Sequence, residues 1–165
     1  MASTITASTL KVTIREDIKL NGVQQGGLNT LSIGSITNAV KRIVNIGTDE
    51  IGLLGFGTTY NTELSKTYLA GQFDEDTVRY IRITNLDDTN HIALILKNEN
   101  DDEFGVKVDK GCSFIYGVDL DGGVVDTMDS ADAAGITPDS FGDLVDITCA
   151  ANTEACDVEV FVAST

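Results

Sequence analysis

This sequence predicts an all-β fold, an antiparallel β-sandwich or jelly roll of about nine or ten short strands. Three observations lead there. Apolar residues recur with a period of two along most of the chain. Clusters of Gly, Asn and Asp punctuate the alternating runs, as turns require. No stretch keeps helical periodicity for more than about two turns. The 165 residues fit one domain. Residues 10–165 are expected to form the sandwich and residues 1–9 an N-terminal arm.

The elements follow in order. Leu10, Val12 and Ile14 alternate with Lys11, Thr13 and Arg15, the pattern of a half-buried strand. Asn21-Gly22 then supplies the positive-φ pair of a tight hairpin. Leu28 through Ile36 resumes the alternation, with Leu31 and Ile33 facing inward. Val40–Ile46 and Glu50–Phe56 read as two further strands around Gly47-Thr48-Asp49. Val78–Leu86 places Ile81 and Ile83 on one face, and His91–Lys97 does the same with Ile92, Leu94 and Leu96. The turn-forming link Asp87-Asp88-Thr89-Asn90 predicts that these two strands form an antiparallel hairpin. Phe104, Val106 and Val108 alternate again, and Ser113–Gly117 follows. From Asp119 to Asp143 the rhythm breaks: seven Asp and the chain's one proline, Pro138, predict a long, exposed acidic loop. Leu144–Ala150 and Asp157–Ala163 complete the set. No internal repeat is present, so solenoids and propellers are set aside.

Eleven basic against 26 acidic side chains give a net charge of −15, unevenly distributed. Residues 1–60 carry five basic and four acidic groups, whereas residues 61–165 carry six and 22. Such a surface repels phosphate backbones, which argues against nucleic acid as a partner. Two readings stay open: a solubilising exterior, or a polarised molecule that docks through its near-neutral N-terminal part. The N-terminus lacks the basic start and apolar run of a leader peptide. No apolar run approaches the length of a membrane span. The chain is therefore expected to stay in a cytosol-like compartment unless a particle carries it out.

Chemistry is sparse. Cys112, Cys149 and Cys156 make an odd number without a Cys-x-x-Cys pair, so structural thiols are favoured over zinc. Cys149 and Cys156 flank Ala-Ala-Asn-Thr-Glu-Ala, a spacing that a hairpin could close into a disulfide. The lone His91 has no Gly-x-Ser-x-Gly elbow to serve and reads as a strand or turn residue. The glycine runs at 52–57 and 122–123 lack a following Gly-Lys-Ser or Gly-Lys-Thr and read as turns. Carboxylates crowd two loops, at Glu99, Asp101, Asp102 and Glu103 and again at Asp119 and Asp121. Asp119 and Asp121 are the candidate ligands for a weakly held hard cation such as calcium. They lack the third oxygen ligand and closing Glu of a calcium loop, so a solvated loop is the plainer reading. A glycosidase would need two carboxylates across a cleft that usually has aromatic platforms, and the chain has no Trp. No catalytic residue and no cofactor are expected. The segment Met1–Thr9 holds five Ser or Thr, and Ser3, Thr4, Ile5 and Thr6 are candidate partner-binding residues. That segment is either an arm ordering on a partner or a solvated tail. Free sheet edges would suit assembly with copies of itself.

Several segments together carry a family resemblance. Leu10-Lys-Val-Thr-Ile-Arg-Glu-Asp-Ile-Lys-Leu-Asn-Gly22, Lys41-Arg-Ile-Val44 and Tyr80-Ile-Arg-Ile-Thr-Asn-Leu-Asp-Asp-Thr-Asn90 are three of them. Gly111-Cys-Ser-Phe-Ile-Tyr-Gly117 and Cys156-Asp-Val-Glu-Val-Phe-Val-Ala-Ser164 are two more. These resemble a family of small virion structural proteins from tailed phages of marine and freshwater bacteria. The likeness runs from about Leu10 to Ser164 and is weakest across residues 60–75 and 119–143. It implies a non-enzymatic protein, made in the bacterial host cytoplasm and carried in many copies on the virion. Within that family the favoured role is capsid decoration, or cement: binding the outer head surface and bridging capsid subunits. The implied partners are the major capsid protein and copies of itself, by analogy as trimers. The alternative roles are a tail, fibre or connector component and, further off, a carbohydrate-binding module.

Overall fold

The structure, a computed structural model, describes residues 5–57, 67–117, 123–124, 127–128 and 141–165. Its strands in chain order are β1 (Ser8–Arg15), β2 (Lys19–Leu20), β3 (Val23–Gln24), β4 (Leu28–Ile36), β5 (Asn38–Ile46), β6 (Ile51–Phe56) and β7 (Gly71–Phe73). They continue with β8 (Val78–Asn85), β9 (Ile92–Asn98), β10 (Glu103–Val108), β11 (Ser113–Gly117), β12 (Leu144–Ala151) and β13 (Cys156–Ser164). The fold is all-β, as its alternation predicts, with no helix among the described residues. The strands beyond those expected are β2, β3 and β7, each too short to register as alternation.

Two sheets make the body, in the orders β10-β9-β12-β6-β7 and β11-β8-β13-β5. All their described pairs are antiparallel except β6–β7. Inward residues of both sheets form one core. Ile81, Ile83, Val158, Val160 and Val162 come from one sheet, and Ile92, Leu94, Leu96, Leu54 and Ile147 from the other. Each fully buried aliphatic side chain there contributes roughly 1.5–3 kcal/mol.

The two strand orders match position by position. β10 faces β11, β9 faces β8, β12 faces β13 and β6 faces β5, and each facing pair is consecutive in the chain. The connections at 47–50, 86–91, 109–112 and 152–155 are therefore arches that cross between sheets. The expected hairpin of Val78–Leu86 with His91–Lys97 is one of these arches. So is the link between Cys149 and Cys156, whose spacing suggests a hairpin, and both thiols are free. The arches stack at one end and bond to one another. Ala151 N–H donates to Gly47 O at 2.8 Å, Asn152 N–H to His91 O at 3.1 Å, Leu86 N–H to Asp157 O at 2.9 Å and Gly111 N–H to Asn85 O at 3.1 Å.

Asn85 shows why the β8–β9 link arches. Its side chain is fully buried, and its Nδ2 donates to Asn90 O at 2.9 Å and to Val108 O at 3.3 Å. Its Oδ1 accepts the Asp87 N–H at 3.0 Å. The Asp87 carboxylate in turn accepts the N–H groups of Thr89 and Asn90. Backbone groups that a hairpin ladder would satisfy are thus met by side chains.

Two further expectations change. Gly52 and Gly55 lie inside β6 rather than in a turn, because the Tyr68 ring is laid on them. A Cβ on Gly55 would sit 2.6 Å from that ring. Residues Ser8 and Thr9, assigned to the arm by sequence, already belong to β1, where Ser8 pairs with Ile36.

Asn85→Ala should remove about 2–3 kcal/mol of stability by orphaning buried backbone groups. Urea unfolding followed by circular dichroism measures this; a loss under about 0.5 kcal/mol would mean that Asn85 does not hold the arch.

Candidate interaction surface

One hairpin forms a two-stranded sheet separate from the two sheets of the sandwich. β1 pairs with β4 from Arg15↔Leu28 to Ser8↔Ile36, and β2–β3 forms its tip. At the tip Asn21 and Gly22 have φ of 49° and 83°. Positive φ at both central turn residues gives the twist that flanking strands need, as Asn21-Gly22 predicts. Between tip and strands the ladder continues through Gln25 N–H to Ile18 O and Glu16 N–H to Gly27 O, both 2.9 Å. Gly26 is required there, since a Cβ would sit 2.0 Å from Glu16 O. Asp17 ties the neck together, accepting from Arg15 at 2.9 Å and from Gln24 at 3.2 Å.

The near half of this ribbon is seated on the outer face of the β11-β8-β13-β5 sheet. Ile33, Ile36, Leu10 and Val12 pack on Tyr80, Phe161 and Ala163. The Tyr80 and Phe161 rings meet edge-on, 6.0 Å apart. At one side Thr37 N–H donates to Ser164 O at 3.0 Å, where β4 turns into β5. At the other side Leu31 lies 3.4 Å from where a Gly117 Cβ would be, on β11. The ribbon thus crosses the sheet. The five residue steps from Leu31 to Ile36 extend ~17 Å, enough for the three strand spacings of ~4.8 Å between β5 and β11.

Past Gly117 the ribbon overhangs. Ile14, Ile18, Leu20, Val23 and Leu28 are all exposed, Leu20 by 56%, Val23 by 58% and Leu28 by 70%. Leu31, expected to face inward, is only half covered because it sits where the sheet stops. A two-stranded hairpin has little stability of its own in water, and clustered apolar side chains on it make this a candidate interaction surface. Sequence reasoning took Ile14 as half-buried and missed the others. The signal was present as Ile18, Leu20 and Val23 clustered around Asn21-Gly22, a hairpin tip that polar residues usually occupy.

No other described strand covers the rest of the same outer face. That part carries exposed Ile43 on β5 and Ile115 on β11. Between them Glu159 is held by Lys41 at 2.7 Å and Arg82 at 2.6 Å. Those two hydrogen bonds, Lys41's the larger effect, keep the Glu159 carboxyl below the usual carboxylate range.

The other features sort as follows. Among the described residues no cluster of three or more His, Cys, Asp or Glu is placed to hold a metal. Asp119 and Asp121 lie outside the described residues, as do Ser3 and Thr4, while Ile5 and Thr6 are exposed ahead of β1. His91 sits at the arch end, its backbone N–H bonded to Asn152 Oδ1 at 3.1 Å. Tyr68 O–H donates to Asp146 at 3.3 Å, and burial, reinforced by that carboxylate, pushes the phenol up to about 12. A cavity of about 270 Å³ opens between the sheets, lined by Leu96, Phe104, Phe114, Tyr116, Met128 and Leu144. Its described wall is apolar apart from Tyr116 and Thr127, whose carbonyl accepts the Tyr116 O–H at 3.4 Å. The three cysteines are free thiols, Cys112 exposed and Cys149 and Cys156 buried. Burial, with a smaller effect from Cys156, pushes the Cys149 thiol up to about 12.

Two predictions follow from these environments. Glu159 ionises more readily folded than unfolded, so its contribution is present above the ordinary carboxylate range and fades as pH falls through its lowered value. Glu159→Gln should therefore melt below wild type at neutral pH, and the two curves should converge in acid; a constant offset across pH would refute the ion network's role. Ellman's reagent should titrate Cys112 alone in the native protein and all three thiols after unfolding, and fast native reaction of Cys149 would contradict its burial.

No protein-family model matches this chain, and neither a curated protein nor a solved structure does.

Proposed function

We propose that this chain is a non-enzymatic structural protein of a phage virion, a decoration protein that binds the outer surface of the head and bridges capsid subunits. The observation that carries the assembly part of this reading is the overhanging ribbon, whose apolar side chains have nothing of the described chain to cover them. The virion part rests on the resemblance of the segments around Leu10–Gly22, Tyr80–Asn90 and Cys156–Ser164 to small phage structural proteins.

The physical chemistry is compatible with that role. A protein on the outside of a capsid does not meet the genome, so its net charge of −15 brings no repulsion from packaged DNA. Shell reinforcement needs buried apolar contact rather than catalysis, and the ribbon offers such contact. A carbohydrate-binding module fits less well. Sugar platforms use clustered surface aromatics, and Phe104 is the one exposed aromatic among the described residues.

Quantitative mass spectrometry of purified virions, referenced to the major capsid protein, tests the reading. A simple ratio, about one or about one third, is expected for a shell component. A handful of copies would overturn decoration in favour of a tail, fibre or connector part, and absence from the particle would overturn the virion assignment.

A further inference from the structure

We infer that the overhanging ribbon docks on a second copy of this chain, head to tail, on the open part of the outer face of its β11-β8-β13-β5 sheet. This deepens the assembly reading above and rests on it, but it concerns the isolated protein and does not need the particle.

Three observations select this occupant. The first is continuity with a contact the molecule already makes. The near half of the ribbon is seated on this very face through Leu10, Val12, Ile33 and Ile36. The overhang continues the same ribbon with Ile14, Leu20, Val23 and Leu28, and the open remainder of the face presents Ile43 and Ile115. The face thus offers Tyr80, Phe161 and Ala163 to its own ribbon, and Ile43 and Ile115 on either side of the Glu159 ion network outward.

The second observation is charge. The overhang, residues 14–28, carries Arg15 and Lys19 against Glu16 and Asp17, a net charge of zero. Residues 37–165 carry eight basic and 24 acidic. Two bodies of net −16 repel one another, whereas a neutral overhang meets a body without that repulsion. Contact between copies is therefore directed to the ribbon.

The third observation is reach. The overhang leaves the sheet past β11, and the strands from Leu31 to the Asn21-Gly22 tip extend ~30 Å. It projects away from its own sheet, so Ile43 and Ile115 of the same molecule are not its seat. A contact in which one surface donates and a different one receives is heterologous, and it builds a ring when its rotation closes and a filament when it does not.

The test uses the full chain in solution. Sedimentation velocity at tens of micromolar should give a single species at a multiple of 17.5 kDa. The donor variant Leu20→Asp/Val23→Asp and the receiver variant Ile43→Asp/Ile115→Asp change exposed residues only, so both should keep the wild-type circular dichroism spectrum. Each alone should associate at least about tenfold more weakly. Mixed, they should form a heterodimer, because the donor variant keeps an intact face and the receiver variant an intact ribbon. Ala93→Asp, an exposed site on the outer face of the other sheet, should leave the oligomer unchanged. A monomeric wild type overturns the inference, and so does an oligomer indifferent to the ribbon variant. Failure of the mixture to pair would overturn the head-to-tail geometry in favour of a symmetric ribbon-to-ribbon contact. A monomer that is still abundant on virions would remove this inference and leave the virion role intact; an oligomer absent from virions would do the reverse.

Discussion

The stack of arches at one end of the sandwich is the constraint on which the rest depends. Four times the chain leaves one sheet and enters the other at the facing position, which locks the two strand orders together. A sandwich joined by hairpins could slide one sheet over the other while keeping its pairs. Here each arch ties a strand to its opposite, and neighbouring arches are hydrogen-bonded, so the inward faces meet in one register. That register sets Ile81 and Ile83 against the layer of Ile92, Leu94 and Leu96. It also decides which residues are left on the outside, and so the surface on which the ribbon rests.

The strands were legible because period-two alternation survives wherever one face is buried and the other is not. Ten of the strands stand where alternating Val, Ile and Leu place them. The connections were not legible. Asp87-Asp88-Thr89-Asn90 is as good a hairpin link as an arch link, since both reverse the chain with the same turn-forming residues. The difference lies in Asn85, whose buried amide reaches Val108 O on β10, far along the sequence. The glycines of β6 misled for a related reason: their purpose is room for Tyr68, and that ring arrives from another segment.

The interaction surface was half legible. The charge asymmetry between the N-terminal part and the remainder is plain in the sequence, and it pointed to a polarised molecule. The overhang was not, because alternation in Leu10–Ile14 and Leu28–Ile36 says which side of a strand is apolar without saying how far the covering sheet extends. Val12 and Leu31 pair directly, yet Leu31 is half exposed and Val12 is better covered. The boundary between core and interface runs through the middle of one ribbon and is drawn by the position of β11.

The place of β13 has a consequence for how the molecule comes into being. β13 lies between β8 and β5, hydrogen-bonded to both, and its Ser164 carbonyl also receives the Thr37 N–H where the ribbon joins the body. A ribosome makes β5 and β8 long before β13, so until then that sheet is two separate halves. During this interval the ribbon has been synthesised but has no Phe161 or Ala163 to rest on. Its apolar side chains are exposed on a nascent chain, at the stage when wrong pairing is most costly. The outer face on which the ribbon rests is therefore complete only on a finished molecule.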